Sequence, residues 1–161
     1  MAIPSSLERL SYDGPSGCIA TGMHREVITE GVATRTLLAE ESNGLFLFDT
    51  AAGTIYTLPA PAVGMVFDFA VTVSNTSNLH KIITSAATIF LIGGVTAVEL
   101  AAAMDFFVAN GTTHVALSMG ATTTGGLVGS RVRFECISAT QWLVTGIVCG
   151  SGTLADPFAT S

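Results

Sequence analysis

The chain is dominated by alternation of apolar and polar residues with a period of two. Val66 to Ser74 reads VFDFAVTVS, with Phe67, Phe69, Val71 and Val73 on one face and Asp68, Ala70, Thr72 and Ser74 on the other. Such alternation predicts a half-buried antiparallel strand. Arg131 to Ile137 repeats it, with Arg131, Arg133 and Glu135 opposite Val132, Phe134 and Cys136. Trp142 to Cys149 follows a short connection, so these two segments predict a hairpin. Further strands are expected at Glu26–Thr29, Thr36–Ala39, Leu45–Phe48, Thr54–Leu58, His80–Thr84, Ile89–Ile92, Val95–Glu99, Phe106–Ala109 and Val115–Met119.

Turn signals punctuate these runs. Asn43-Gly44 is a hairpin-type pair, and Gly93-Gly94 is a further turn signal. Asp49 to Gly53 is a turn with a late glycine. Pro59-Ala60-Pro61 forms a rigid corner, because neither proline can donate to a ladder. Glu99 to Asp105 alone reads as one or two helical turns, and Met119 to Ser130 as a flexible Gly/Thr loop. No strict internal repeat is visible. The pattern predicts a single all-β domain, an antiparallel β-sandwich or jelly-roll-like fold, over residues 24–149. Residues 1–23 and 150–161 have little periodicity and read as extended N- and C-terminal arms.

Composition adds a constraint. Only 11% of the 161 residues are charged, against about 25% in ordinary soluble domains. So sparse a charged skin predicts that much of the surface is covered in an assembly. Twelve acidic residues against six Lys and Arg give a net charge of −6. There is no basic stripe for nucleic acid and no attraction to anionic membranes. Ile82 to Val98 is free of charge but slightly short, rich in Thr, and broken by Gly93-Gly94, so it is not read as a membrane span. The opening Met-Ala-Ile-Pro-Ser-Ser lacks a basic and an apolar region, so no secretory leader is expected, and the sequons at Asn75 and Asn110 carry no weight. Cys18, Cys136 and Cys149 form no CxxC pair; three free thiols and no intrachain disulfide are expected.

Catalytic and ligand chemistry has little to build on. His24, His80 and His114 have no acidic or Cys neighbours at ligand spacing, so no metal is expected. Asp49 to Gly53 lacks the alternating carboxylates of a calcium loop. Glu40 and Glu41 would point to opposite faces of a strand. Gly150 to Ala155 fits GxGxxA, but only six residues follow it, too few for the helix and second strand that a dinucleotide site needs. Neither a cofactor nor an enzymatic activity is expected. The candidate contact residues are instead the isolated apolar positions of the arms: Ile3, Pro4, Leu7 and Leu10 at one end, and Leu154, Pro157 and Phe158 at the other. A segment like residues 1–23 cannot bury its apolar groups alone. It either anchors to a neighbouring sheet edge or folds back as an edge strand of its own domain.

Residues 36–73, TLLAEESNGLFLFDTAAGTIYTLPAPAVGMVFDFAVTV, carry a specific pattern. They resemble the stretch L-x-A-x-x-S-G-x-x-F-x-x-D-x-A-x-G-x-x-x-T-L-P-A-P-x-x-G-x-x-F-x-F of tailed-bacteriophage head-decoration (cement) and related virion proteins. Asn43, between Ser42 and Gly44, departs from it by one residue. Gly129, Val132, Thr140-Gln141-Trp142 and Gly146 are similar to the end of such proteins. Together the two stretches cover about a third of the chain. The resemblance implies a non-enzymatic structural virion protein, made in the host cytoplasm and bound outside the head. Its partners would be the major capsid protein and itself, as a homotrimer. The alternative is a phage tail or fibre module that binds a receptor or glycan, for which Trp142, Tyr12 and Tyr56 are the aromatic candidates. Trp142 opens an apolar strand and is expected in the core.

Overall fold

A computed structural model describes residues 25–29, 31–101 and 103–161. In this all-β structure the strands are β1 (Val27–Ile28), β2 (Thr34–Thr36), β3 (Leu45–Phe48), β4 (Ile55–Thr57), β5 (Val66–Val71), β6 (His80–Ile83), β7 (Phe90–Glu99), β8 (Met104–Asn110), β9 (Ala116–Met119), β10 (Arg131–Ser138), β11 (Gln141–Gly150) and β12 (Phe158–Ala159). One sheet has the order β1-β3-β5-β10-β11-β7-β8 and the other β12-β9-β6-β4-β2. The expected hairpin of 131–137 with 142–149 is present as β10 and β11, with Phe134 opposite Val144.

The sheets are mixed, which corrects the antiparallel expectation. From β1 to β6 the chain passes alternately between the two sheets, so that β1, β3 and β5 lie parallel in one and β2, β4 and β6 parallel in the other. Leu45 stands between Val27 and Asp68, and Ile55 between Thr34 and Lys81. Parallel neighbours need a long crossover; here each crossover is made by a strand of the opposite sheet. Apolar alternation sets which side chains face inward, but it is blind to the direction of the neighbouring strand. The corners of this coil are where the sequence placed its turn residues. Asn43, Gly53 and Gly64 all have positive φ, at 70°, 85° and 94°, and Pro59 to Pro61 lies between β4 and β5.

Three local expectations fail for identifiable reasons. Asn43-Gly44 is not a hairpin turn, because it leads out of a 3₁₀ turn at Ala39–Glu41 that begins at the last residue of the strand expected over Thr36–Ala39, and β2 and β3 lie in different sheets. Gly93-Gly94 is not a turn but the middle of the ten-residue β7. Gly93 has φ 88°, and a Cβ there would collide with the backbone of Val144 on β11. These glycines serve close strand approach. Glu99 to Asp105 is not helical: Glu99 N–H donates to Ala103 O at 2.8 Å and closes the β7–β8 hairpin.

Both sheets contribute to one core. Phe46, Phe48, Tyr56, Phe67, Phe69, Phe134 and Trp142 are buried in it. Tyr56 packs on Phe48 across the sheets at 5.0 Å between ring centroids, and its hydroxyl donates to Leu47 O at 2.9 Å. Val73, expected inside, is 37% exposed because β5 ends at Val71.

The C-terminal segment is not an arm. Phe158 and Ala159 pair with Leu117 and Ala116 of β9, and Ser118 N–H donates to Pro157 O at 2.7 Å. Phe158 is 7% exposed and stacks on His114 at 5.7 Å. Residues 151–155 bond to the 121–123 loop, with Gly152 N–H to Thr122 O at 2.7 Å. The segment supplies an edge strand that β9 would otherwise lack, which sequence periodicity over two strand residues could not show. Residues 1–23, expected as an N-terminal arm, lie outside the described residues.

Candidate functional site

The outer face of the seven-stranded sheet can be read from its register. One row of side chains runs Leu45, Asp68, Arg133, Thr145, Gly94, Val108, and the next Leu47, Ala70, Arg131, Ile147, Thr96, Phe106. The first half of each row lies over β3, β5 and β10, and the second half over β11, β7 and β8. The two halves differ in chemistry.

Over β5 and β10 the centre is Asp68. Its position in the alternation predicts an outward carboxylate, yet it is 1% exposed. Arg133 covers it with two hydrogen bonds, Nε to Oδ1 at 3.0 Å and Nη2 to Oδ2 at 2.9 Å. Arg25 pairs with Oδ2 and also donates to the carbonyls of Asn43 and Gly44, at 2.6 and 2.9 Å. Arg131 stands further off, its Nη2 3.9 Å from Oδ1. Half of the chain's six Lys and Arg therefore meet at one carboxylate. Burial pushes the Asp68 carboxyl up, but the hydrogen bonds and charges of Arg133 and Arg25 outweigh it and hold it below the usual carboxylate range. The bond to Asp68 and its charge raise Arg133 in turn. A cavity of about 520 Å³ opens beside the cluster, lined by Arg131, Thr145, Gly129 and Ile147 among others. Its chemistry is that of a paired ionic tie. Arg25 fastens the carbonyls that precede β3 to β5, and Arg133 fastens β10 to the same point.

Over β7 and β8 the face is apolar and open. Met104 is 74% exposed, Phe106 60%, Val108 58% and Ile147 52%. Gly94 provides room for Phe106 to lie over β7: a Cβ at Gly94 would stand 2.9 Å from that ring. The sequence signal for this surface was Phe106-Phe107-Val108, apolar on both faces of a strand where alternation requires one polar face. The strand expected at Phe106–Ala109 covers this signal, and the helical reading of 99–105 left out only its first residues, Met104 and Asp105.

Of the arm residues expected to make contacts, Ile3, Pro4, Leu7 and Leu10 lie outside the described residues. Leu154 packs partly buried against the core, and Pro157 and Phe158 are buried in their own domain. None of these three C-terminal residues belongs to the outer rows. The two described aromatic candidates for a glycan site, Trp142 and Tyr56, are also in the core. His80 is fully buried against Phe48 at 4.6 Å, with Nε2 2.9 Å from Val73 O; burial lowers its pKa. Cys136 and Cys149 are free thiols, and Cys18 lies outside the described residues. Among the described residues no three His, Cys, Asp or Glu side chains gather as metal ligands, and no helix is long and apolar enough to cross a membrane. The chain matches no protein-family model, no curated protein and no solved structure.

Proposed function

We propose that this chain is a structural virion protein of a tailed bacteriophage, a decoration protein that binds the outside of the major capsid shell and stabilises it. The observation that carries the reading is the segment 36–73, with its resemblance to head-decoration proteins. Its Pro59-Ala60-Pro61 and Gly64 form a crossover of the β coil and its Phe residues fill the core. The surface supports an associative role: Met104, Phe106, Val108 and Ile147 form an uncharged field on one sheet. A free monomer rarely keeps a contiguous apolar patch of that kind. The two sheets meeting in one core are read as a sandwich-type domain. Residues 1–23, with Ile3, Pro4, Leu7 and Leu10, are read as an arm that adds to the shell contact, and a homotrimer as the form bound there.

Copy number tests the proposal. Quantitative mass spectrometry of purified virions, with the chain labelled by an affinity tag for electron microscopy, should find it at hundreds of copies over the head. A few dozen copies or fewer, located at the tail, would move the assignment to a tail or fibre module. Absence from virions would end both readings.

A further inference from the structure

We propose that the open edge of β8 is a self-association surface, by which two copies of this chain pair antiparallel across a two-fold axis at Phe106. Sheet edges carry unpaired backbone groups and are templates for another strand unless they are blunted. Among the described residues, three of the four edges are blunted by length: β1 and β12 have two residues each and β2 has three. The fourth, β8, has seven.

The ladder with β7 identifies the groups that β8 leaves open. Glu99 N–H donates to Ala103 O, and Gly111 N–H to Leu91 O. The hydrogen-bonded pairs with β7 therefore fall on odd positions of β8, and Met104, Phe106, Val108 and Asn110 point their amides and carbonyls outward. Two of these four amides are already held. Phe106 N–H donates to Asp105 Oδ1 at 2.8 Å, and Asn110 N–H to His114 Nδ1 at 3.2 Å. The amides of Met104 and Val108 point outward without such a cap.

A second β8, placed with Phe106 opposite Phe106, sets Met104 opposite Val108 on both sides of the axis. The two uncapped residues of each copy then exchange hydrogen bonds with those of the other, and the capped Phe106 amides lie together on the axis. Sliding one copy by two residues, so that Phe106 faces Val108, would put a capped amide into every pair. The chosen register also stacks the exposed Phe106 rings across the axis, and aromatic cross-strand pairs stabilise sheets. The one charge on β8 is Asp105, whose Oδ1 holds the Phe106 amide, so the two carboxylates flank the axis and like-charge repulsion weakens the pair. A seven-residue edge is about 24 Å long, which is small for a specific interface. The dimer is therefore expected to depend on concentration, with a dissociation constant on the order of 10–100 μM. An isologous contact of this kind closes at two copies. It is separate from any three-fold association on a shell, and it is tested on the purified chain whether or not a virion partner exists.

The experiment is sedimentation velocity of the full chain from about 1 μM to about 1 mM, with three variants. The unsubstituted chain should pass from monomer to dimer. Val108→Pro removes an outward amide without breaking the β7 ladder; it should remain monomeric while its thermal midpoint stays close to that of the parent. Phe106→Cys should form a bridged dimer under mild oxidation, well above the background set by the native cysteines. Asn110→Cys, whose two copies would lie about 27 Å apart, should stay at that background. A chain that remains monomeric at the highest concentration overturns the proposal. So does self-association that a folded Val108→Pro variant leaves unchanged. Equal bridging of the two cysteine variants also overturns it, and this comparison decides the matter should Val108→Pro fail to fold.

Discussion

Over β5 and β10 the seven-stranded sheet hides a carboxylate beneath arginines, whereas over β7 and β8 the same face leaves Met104, Phe106 and Val108 in the open. Each half inverts the ordinary preference of polar groups for water and apolar groups for the interior. The difference lies in what completes them. Asp68 has its partners within the chain, so its cluster belongs to the fold and ties β1, β3, β5 and β10 together. The β8 field has no covering element among the described residues.

Substitutions along one sheet test this division, and the inner face of β5 sets the scale. Phe69→Ala removes a ring packed on Phe46, Phe48, Tyr56 and Phe134 and should destabilise by about 3–5 kcal/mol in denaturant unfolding. A loss under about 1 kcal/mol would show that β5 is not a core strand. One position away, Asp68→Ala removes the carboxylate that Arg133 and Arg25 share and should cost about 2–4 kcal/mol. Arg131→Ala, with its guanidinium mostly in water, should cost less than about 1 kcal/mol. Equal losses for Asp68 and Arg131 would break the reading of Asp68 as the centre of the tie.

The pH dependence separates the buried ionisable groups. The folded chain holds Asp68 below its ordinary value of 3.8. Its contribution is therefore fully present above about pH 4 and is lost as the pH falls through the depressed folded-state value. His80 is held below its ordinary 6.5 by burial. The unfolded chain takes up that proton first, so stability should decline as the pH falls below about 6.5. In thermal melts across pH, His80→Gln should flatten the upper decline and Asp68→Asn the lower one. Unchanged slopes would assign the titration to other groups. The smallest effect belongs to the open half. Met104→Ser should alter unfolding stability by no more than about 0.5 kcal/mol, and a loss as large as that of Asp68→Ala would mean that the β8 surface is structural.

Much of the strand content was legible because burial of one face forces a period of two. Leu45–Phe48 coincides with β3, and the segments at 80–84, 115–119, 131–137 and 142–149 agree with β6, β9, β10 and β11 within a residue or two. The corner residues were legible for a similar local reason, since a left-handed backbone favours Gly and Asn. The surface described here was largely hidden. Arg133 and Asp68 are 65 residues apart in sequence, and nothing local marks Asp68 as buried rather than solvated. Likewise, glycines that admit a neighbouring strand look in sequence like glycines that turn the chain.

By itself, then, the amino-acid order determined an all-β chain, the inward set of aromatic side chains and the places where the backbone bends, because each of these is set within a few residues by sterics and burial. Only the tertiary structure decided strand direction, the coil that passes between the sheets, the use of Pro157 and Phe158 inside their own domain, and the long edge that β8 leaves among the described residues. Those depend on which distant strand arrives as a neighbour, and register with a distant strand is a property of the packed sheet.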